Sequence, residues 1–422
     1  MNNNLDTSRI KVNCMSQLAV MIYLINALCK YFLPGVATKT LPVLALGLAL
    51  IGSSSPLKIK VTRVDKLFVI FLFVWFLGCF YSTDITKGLG YVFSFGVALV
   101  FGIYVSYLEI DESKIMKLLA VGCFIIEGFL LLQPLTPQIV EQVTKLFSYN
   151  ANDYVVMKAW TRNGWYSGLF PDRAPAAFYC SVLVGVGLYY VYKNYKRKAT
   201  FFARFVGIAI VIIGIYGILL TAKRGLLLGT LMAAFITYMT YKKVNREPIW
   251  KICVTVGIIC VVTWLVFSNM EATQIMLMRF FDNDNMMTGR GDIYSNIYKY
   301  IWSSPIIGTG TASAFSLLGI GGHNIYLTVF MENGIIGFTF FFLALVYSLC
   351  KTIALALEMG WLNRKERLPF LMFSLFIQVF FLIYGMSGNP LYDNYILYFY
   401  LFAILIVKYS DFQLSRDLKG EY

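Results

Sequence analysis

Apolar stretches about as long as a membrane helix recur along the whole chain, separated by charged residues, prolines or Gly-Ser clusters. Roughly 20 apolar residues are enough to cross the hydrocarbon core of a bilayer as a helix. The pattern predicts about twelve such helices, and we expect an all-α integral membrane protein in which residues 1–422 form a single polytopic domain. Their centres lie near Ile22, Leu46, Phe73, Val97, Cys123, Leu183, Ile210, Ala233, Gly257, Phe338, Gln378 and Tyr398.

The spacing of these helices leaves two long connections. Pro134–Pro171 has 38 residues and Asn269–Asn324 has 56. We assign residues 134–173 to the first large loop and residues 269–324 to the second. Because the apolar segment Met15–Leu33 is not followed by a small-residue cleavage site, we expect it to remain as a membrane anchor.

The composition agrees with a membrane protein. Apolar residues make up 59% of the chain and charged residues 14%, whereas soluble domains have about 45–50% and about 25%. A soluble enzyme is therefore excluded as a class, and a disordered chain, a disulfide-stapled secreted domain and a zinc module are disfavoured. A net charge of +14 would suggest nucleic acid as the partner of a soluble chain. Here the partner is the lipid bilayer, and no nucleic acid is expected.

The distribution of basic residues predicts the orientation. With a cytoplasmic N-terminus, 24 of the 36 lysines and arginines fall on the cytoplasmic side, mostly in short turns. Short cytoplasmic loops of membrane proteins carry this excess of positive charge. We therefore expect both termini in the cytoplasm and both large loops on the outer side.

Metal and nucleotide chemistry find no support in the sequence. His323 is the only histidine, so one chain cannot form a multi-histidine metal site. The eight cysteines lie in or beside apolar runs without a Cys-x-x-Cys pair, which is typical of small core residues. No strand precedes a phosphate-binding glycine loop. We expect neither a metal nor a cofactor.

Several cations on the outer side are not explained by topology. The turn Thr221–Gly225 joins two apolar helices and places Lys223 and Arg224 at the edge of the hydrocarbon, at the depth of a lipid headgroup. An interfacial anchor is the alternative. The other outer cations in the large loops are Lys145, Lys158, Arg162, Arg173, Arg279, Arg290 and Lys299.

Arg290 stands just before a segment with the pattern of an amphipathic helix, which carries apolar and aromatic residues on one side. Such a helix suits a position at the membrane interface, on or partly in the membrane surface. The guanidinium and the free N–H groups of the first turn would point at the same volume, where an anion such as a diphosphate can be held. The alternative is that Asp292 or Thr288 caps the helix and that Arg290 is solvated. The residues of the stripe are Ile293, Tyr294, Ile297, Tyr298, Ile301 and Trp302.

His323 follows a glycine-rich segment that includes Gly308-Thr309-Gly310, and it begins the next apolar helix with Asn324-Ile325-Tyr326-Leu327. A helix N-terminus disfavours the protonated imidazole, and the neutral form can act as a general base. An ordinary polar contact is the alternative.

Glu332 lies nine residues further on, two and a half helical turns away, and so faces the opposite side of a straight helix. We expect either a structural role for it or a supporting role behind the site residues, with Gly334 and Gly337 permitting a kink.

The first large loop ends in aromatic residues interleaved with arginine, asparagine and aspartate, from Arg162 to Pro175. This mixture suits the recognition of sugars, and equally an aromatic belt at the membrane interface.

The order of these elements resembles the O-antigen ligase and polymerase family. The similarity covers roughly residues 200–345 and consists of the basic turn with its glycine, Gly289-Arg290, Ser304-Pro305 with Gly308-Thr309-Gly310, His323–Leu327 and Glu332-Asn333-Gly334. The family usually has Ser-Arg where this chain has Lys223-Arg224.

The resemblance implies a metal-independent membrane glycosyltransferase in the bacterial cytoplasmic (inner) membrane, with its active site facing outward. The implied donor is an undecaprenyl-diphosphate-linked glycan, the acceptor is a glycan or lipid A core, and a chain-length-regulating co-polymerase is an implied partner. Arg224 and Arg290 would bind the diphosphate, and His323 would deprotonate the acceptor hydroxyl. We assign substrate binding to Lys223, Arg279, Arg162, Arg173, Asn324 and Tyr326.

The sequence leaves three activities open. Two large loops on one surface favour a polymerase, which joins one lipid-linked glycan to another. A ligase would instead transfer the glycan to lipid A core. A lipid-linked oligosaccharide flippase is the competing class, but its alternating-access design predicts paired halves around a central cationic cavity.

Overall fold

A computed structural model describes residues 14–52, 59, 61–147, 149–195, 201–248, 273–275, 278 and 290–420. Within these ranges all regular secondary structure is α-helical. The numbered helices are α1 (Cys14–Leu28), α2 (Gly35–Gly52), α3 (Arg63–Cys79), α4 (Ile85–Val105), α5 (Glu112–Leu132), α6 (Pro137–Thr144), α7 (Ala151–Arg162), α8 (Arg173–Tyr195), α9 (Phe201–Thr221), α10 (Arg224–Val244), α11 (Arg290–Ser303), α12 (Ser313–Leu318), α13 (Ile325–Trp361), α14 (Leu368–Gly385) and α15 (Asn394–Lys419).

Seven helices of the described ranges are long and apolar enough to cross a membrane, namely α2, α4, α5, α8, α13, α14 and α15. The prediction of an all-helical, multi-pass membrane protein is confirmed. Eleven of the twelve predicted helix centres lie inside a helix, and the centre at Gly257 lies outside the described residues. The total of twelve spans stays a prediction.

The last two helices form the middle of the bundle. Almost every residue of α14 is buried by protein, as are the residues of α15 from Tyr395 to Ser410. Helices α8, α10 and α13 pack around α14, while α1, α4 and α13 pack against α15. Because water cannot satisfy polar groups inside a bilayer, polar side chains between such helices bond to each other. Gln378 of α14 does so, since its amide donates to Thr352 at 2.8 Å and accepts from Ser348 at 2.9 Å.

The two ends of the bundle differ. The loops predicted to lie outside contact each other at one end, which we call the His323 end. The turns predicted to lie in the cytoplasm meet at the other, which we call the Lys408 end, and many of the charges that the structure describes there form ion pairs. These pairs include Lys408–Asp65, Lys351–Asp411, Arg416–Glu109, Arg367–Glu112, Arg367–Asp417 and Lys242–Glu247.

The first large loop contains two helices that the hydrophobic pattern does not indicate. Helix α6 begins at Pro137, whose fixed φ suits the first helical position. At the start of α7 the carboxylate of Asp153 accepts the N–H of Asn150 at 3.0 Å. These helices are polar and short, so local capping determines them rather than an apolar repeat.

Helix α13 is broken at Gly334, which has φ 60° and ψ −168°. This conformation is open to glycine and strained for other residues. The break exposes backbone groups, and the segment from Pro305 to Thr311 packs against them and satisfies them. Three N–H groups donate across this contact: Ile335 to Pro305 at 2.8 Å, Thr309 to Met331 at 2.9 Å and Gly310 to Glu332 at 2.9 Å.

The Gly308-Thr309-Gly310 sequence therefore has a structural role in the contact. A Cβ atom on Gly308 would lie 2.3 Å from the carbonyl carbon of Glu332. The same segment is tied to α3, because the hydroxyl of Thr311 donates to the carbonyl of Trp75 at 2.6 Å. The glycines allow the second large loop to lie in the break of α13.

Glu332 of α13 stabilises the packing of this segment through three buried hydrogen bonds. Its fully buried carboxylate accepts the N–H groups of Ala312 at 2.8 Å and Ala314 at 2.9 Å, and the hydroxyl of Tyr392. The carboxylate thus caps the start of α12 and does not contact His323. The expected kink lies at Gly334, within the range that the sequence indicates.

Candidate functional site

Arg173 joins the first large loop to the basic turn. The residue is 5% exposed, and its guanidinium lies over the rings of Trp160 at 4.1 Å and Trp165 at 4.4 Å. One of its nitrogens donates to the carbonyl of Thr221 at 3.1 Å. A planar guanidinium can stack and donate in this way at the same time. In this structure Arg173 therefore positions the turn.

Lys223 and Arg224 stand at the start of α10. The ammonium of Lys223 lies 3.1 Å from a carboxylate oxygen of Asp172, and its side chain is 27% exposed. Arg224 is the first residue of the helix and is half-buried. The free N–H groups of a helix N-terminus favour negative charge, so both cations and the helix end act on one region.

Arg290 is likewise the first residue of a helix, α11. The predicted amphipathic pattern is present, because Ile297 and Ile301 are buried against α13 while Tyr298 is 50% exposed and Trp302 79%. Packing of the isoleucines fixes the axis of α11 and thereby the place of Arg290.

His323 lies between the glycine-rich segment and α13, with its backbone in the left-handed region at φ 50°. Two contacts hold this conformation. The amide oxygen of Asn324 caps α13 by accepting the N–H groups of Tyr326 at 3.1 Å and Leu327 at 3.2 Å. The hydroxyl of Tyr294 in α11 donates to the carbonyl of His323 at 3.4 Å.

Burial and the neighbouring cations favour the neutral form of the His323 imidazole. Burial lowers the pKa of His323 from its usual 6.5, and the charges of Arg290 and Lys223 lower it further. The carboxylate of Asp172 acts in the opposite direction. Cations from α10 and α11 therefore lie close enough to act on the same imidazole, and the neutral ring can accept a proton at physiological pH.

The other residues assigned to substrate binding differ in their surroundings. Arg162 is exposed at the end of α7, where it lines a cleft of about 280 Å³ between α6 and α7. Asn324 is occupied as a cap, and the hydroxyl of Tyr326 donates to the carbonyl of Leu382 at 2.8 Å, which joins α13 to α14. Arg279 lies outside the described residues, as do Thr288 and Gly289.

Two acids of the site carry no assignment from the sequence. Asp172 holds Lys223, and its pKa is lowered: partial burial alone would raise it, but the ammonium of Lys223 outweighs that effect. Asp393, just before α15, has a raised pKa because of burial and the nearby Asp172. Both acids stand next to predicted helix ends, but only the fold brings these distant positions together.

Among the described residues, no group of three or more histidine, cysteine, aspartate and glutamate side chains is arranged to hold a metal ion.

A comparison with protein families matches residues 209–342 to a family described as O-antigen ligase. A search of curated proteins returns no match. The matched range contains Lys223, Arg224, Arg290 and His323, and it lies within the region whose motifs carry the resemblance.

Proposed function

We propose, from the premise that this chain belongs to the O-antigen ligase family through residues 209–342, that it is a glycosyltransferase acting on lipid-linked glycans. The donor in this proposal is a polyprenyl-diphosphate-linked glycan, and the acceptor is a sugar hydroxyl of a second glycan. The reaction is repeat-unit polymerisation at the outer face of the bacterial cytoplasmic membrane.

One observation carries the proposal. The only histidine of the chain lies within the electrostatic reach of Arg290 and Lys223, each at the start of a different helix of the matched region. Glycan transfer from a diphosphate needs a base for the hydroxyl and fixed positive charge for the leaving group. These residue types meet at the His323 end.

In the proposed reaction, the imidazole of His323 removes the proton from the acceptor hydroxyl. The oxygen forms a bond to the anomeric carbon, and the bond from that carbon to the diphosphate oxygen breaks. The electron pair leaves with the diphosphate, whose charge Arg290, Arg224 and Lys223 stabilise. The donor is already activated, so the step needs no nucleotide.

The first large loop supports the polymerase version of this proposal. Its end is fastened to the basic turn by Arg173 and Asp172, so both large loops flank the same place. A polymerase must hold two glycan chains there. A ligase, which transfers to lipid A core, shares the same chemistry and differs in its acceptor.

The test uses the full-length protein in lipid nanodiscs with a fluorescent polyprenyl-diphosphate oligosaccharide as the only substrate. We expect a ladder of longer products, which defines a polymerase. Product formation only after addition of lipid A core would replace the polymerase with a ligase. If neither reaction occurs and the protein moves the substrate across vesicle membranes, the enzyme proposal is wrong and a flippase takes its place.

A further inference from the structure

A cavity of about 660 Å³ opens at the Lys408 end, opposite the candidate site. It lies between the start of α3, the second half of α13 and the second half of α15. No step of the proposed reaction involves it. Its charged walls consist of Arg63, Lys351, Lys408, Asp411, Arg416 and Lys419.

The cavity is electropositive even after its ion pairs are counted. Lys351 pairs with Asp411 at 2.8 Å and Lys408 with Asp65 at 3.0 Å, while Arg416 pairs with Glu109. Five cations against three carboxylates leave two positive charges.

The two charges in excess belong to the rim of the cavity. Arg63 and Lys419 are exposed and form no salt bridge with an acid of the described ranges. An anion that enters the cavity can therefore bind them without displacing an internal carboxylate.

The cavity continues into an apolar surface. On α13, Leu343, Val346 and Tyr347 form an exposed stripe at helical spacing, with 46%, 37% and 36% of each residue accessible. Tyr347 belongs both to this stripe and to the cavity wall. The stripe runs along α13 from the cavity toward the His323 end, so a ligand with a charged head and a long apolar tail fits both parts.

Aromatic rings mark the depth of the cavity. Tyr107 and Phe412 line it and contact each other edge to face, with ring centroids 5.1 Å apart. Tyrosines are enriched where membrane helices meet the headgroup layer. The ring pair therefore supports a position of the charged walls near the headgroup layer.

We propose that this cavity binds an anionic phospholipid of the bilayer. Arg63 and Lys419 contact its phosphodiester, since guanidinium and ammonium groups donate strongly to phosphate oxygens. One acyl chain lies along Leu343, Val346 and Tyr347. Basic pockets between membrane helices bind anionic lipid headgroups in this way. The proposal is independent of the proposed enzymatic activity and of the orientation in the membrane.

Native mass spectrometry of the full-length protein in detergent tests the proposal, with phosphatidylglycerol, phosphatidylcholine and inorganic phosphate as probes. We expect phosphatidylglycerol to bind the wild type more tightly than phosphatidylcholine does. The double variant Arg63→Gln/Lys419→Gln should bind phosphatidylglycerol roughly tenfold more weakly or worse, because two charges near the phosphate are lost. The matched control Lys66→Gln/Lys243→Gln removes two exposed charges from the same end but outside the cavity, and it should keep the affinity.

Thermal unfolding provides a second readout on the same proteins. Phosphatidylglycerol should raise the Tm of the wild type and of the control variant, but not that of the cavity variant. Equal binding of phosphatidylcholine, an equal loss in the control variant, or unchanged binding in the cavity variant would each overturn the proposal. Inorganic phosphate that binds as tightly as the lipid would show a site for a free anion instead.

Discussion

Lys223 and Asp172 form an ion pair of 3.1 Å that ties the start of α10 to the start of α8. The next residue, Arg173, donates to the carbonyl of Thr221 on the other side of the same turn. Two consecutive residues of the first large loop thus hold both sides of the basic turn. The positions of its cations are set by a loop that lies outside the matched family region.

Replacement of His323 tests the proposed base. We expect His323→Gln to reduce glycan transfer by about 100-fold to 10,000-fold, because this range is typical of a lost general base. Arg290→Ala should also reduce transfer strongly, through the loss of charge at the leaving diphosphate, but a measurable residual rate should remain. The measurement is the initial rate of ladder formation, with membrane insertion followed by fractionation and blotting. Full activity of the His323 variant would refute its role as base.

Removing a positive or a negative neighbour of His323 should shift the pH profile of transfer in opposite directions. A base must be neutral, so the rate should rise with pH through a pKa below 6.5 and then level off. Arg290 lowers the pKa of His323 and Asp172 raises it. Arg290→Gln should therefore move the acid limb of the profile to higher pH, and Asp172→Asn should move it to lower pH.

Rates of the residual activity between about pH 5 and pH 8 check this expectation, a range that brackets the usual histidine pKa. Glu141→Gln is the matched control, because this acid of the first large loop pairs with Lys158 and Lys145. It should leave the limb in place. Shifts of both site variants in the same direction would show that the limb reports another group.

Glu332 should matter for stability. Its two carboxylate oxygens accept two N–H groups and one hydroxyl, all buried. Glu332→Gln removes one acceptor oxygen and leaves a buried donor without a partner, which costs about 1–3 kcal/mol. Thermal unfolding in detergent should show a lower Tm. Glu358→Gln, an exposed change on the same helix, should not, and an equal Tm for both variants would contradict the structural role.

Arg173→Lys should loosen the first large loop. Lysine keeps the charge but loses the flat group that lies over Trp160 and Trp165 and reaches Thr221. The lost stacking is worth about 2 kcal/mol in a buried place. Limited proteolysis within residues 134–173 should become faster. The exposed Arg162→Lys serves as control, and equal digestion of the two variants would argue against this role of Arg173.

The sequence predicts the helices well because apolar runs of membrane length leave few alternatives, and each centre from Ile22 to Ala233 lies in a helix. It also predicts an amphipathic helix directly after Arg290, and the structure begins this helix at Arg290 itself. For Glu332 it predicts a structural or supporting role, and the structure shows its carboxylate accepting the N–H groups of Ala312 and Ala314. It misses α6 and α7, which depend on local caps. Its assignment of Asn324 and Tyr326 to substrate stays a prediction, and it does not foresee that a polar group of each bonds to the protein's own backbone.

The contacts of Arg173 and Asp172 with the basic turn could not be predicted from the sequence. Both belong to a loop whose outer location the charge pattern predicts, but a pattern along the chain does not show which distant turn they contact. Their partners, Thr221 and Lys223, are about 50 residues further on. Only the packing of α8 against α9 and α10 brings them together.

The hydrogen bond from Thr309 to Met331 closes a ring of chain that contains His323. The bond joins residues only 22 positions apart, and Glu332 holds the ring at a second place through Ala312 and Ala314. Closing a short ring removes much of the conformational entropy of the segment within it. That entropy is lost when the protein folds, before any substrate arrives. Substrate binding therefore does not have to supply the free energy that orders the segment around the imidazole.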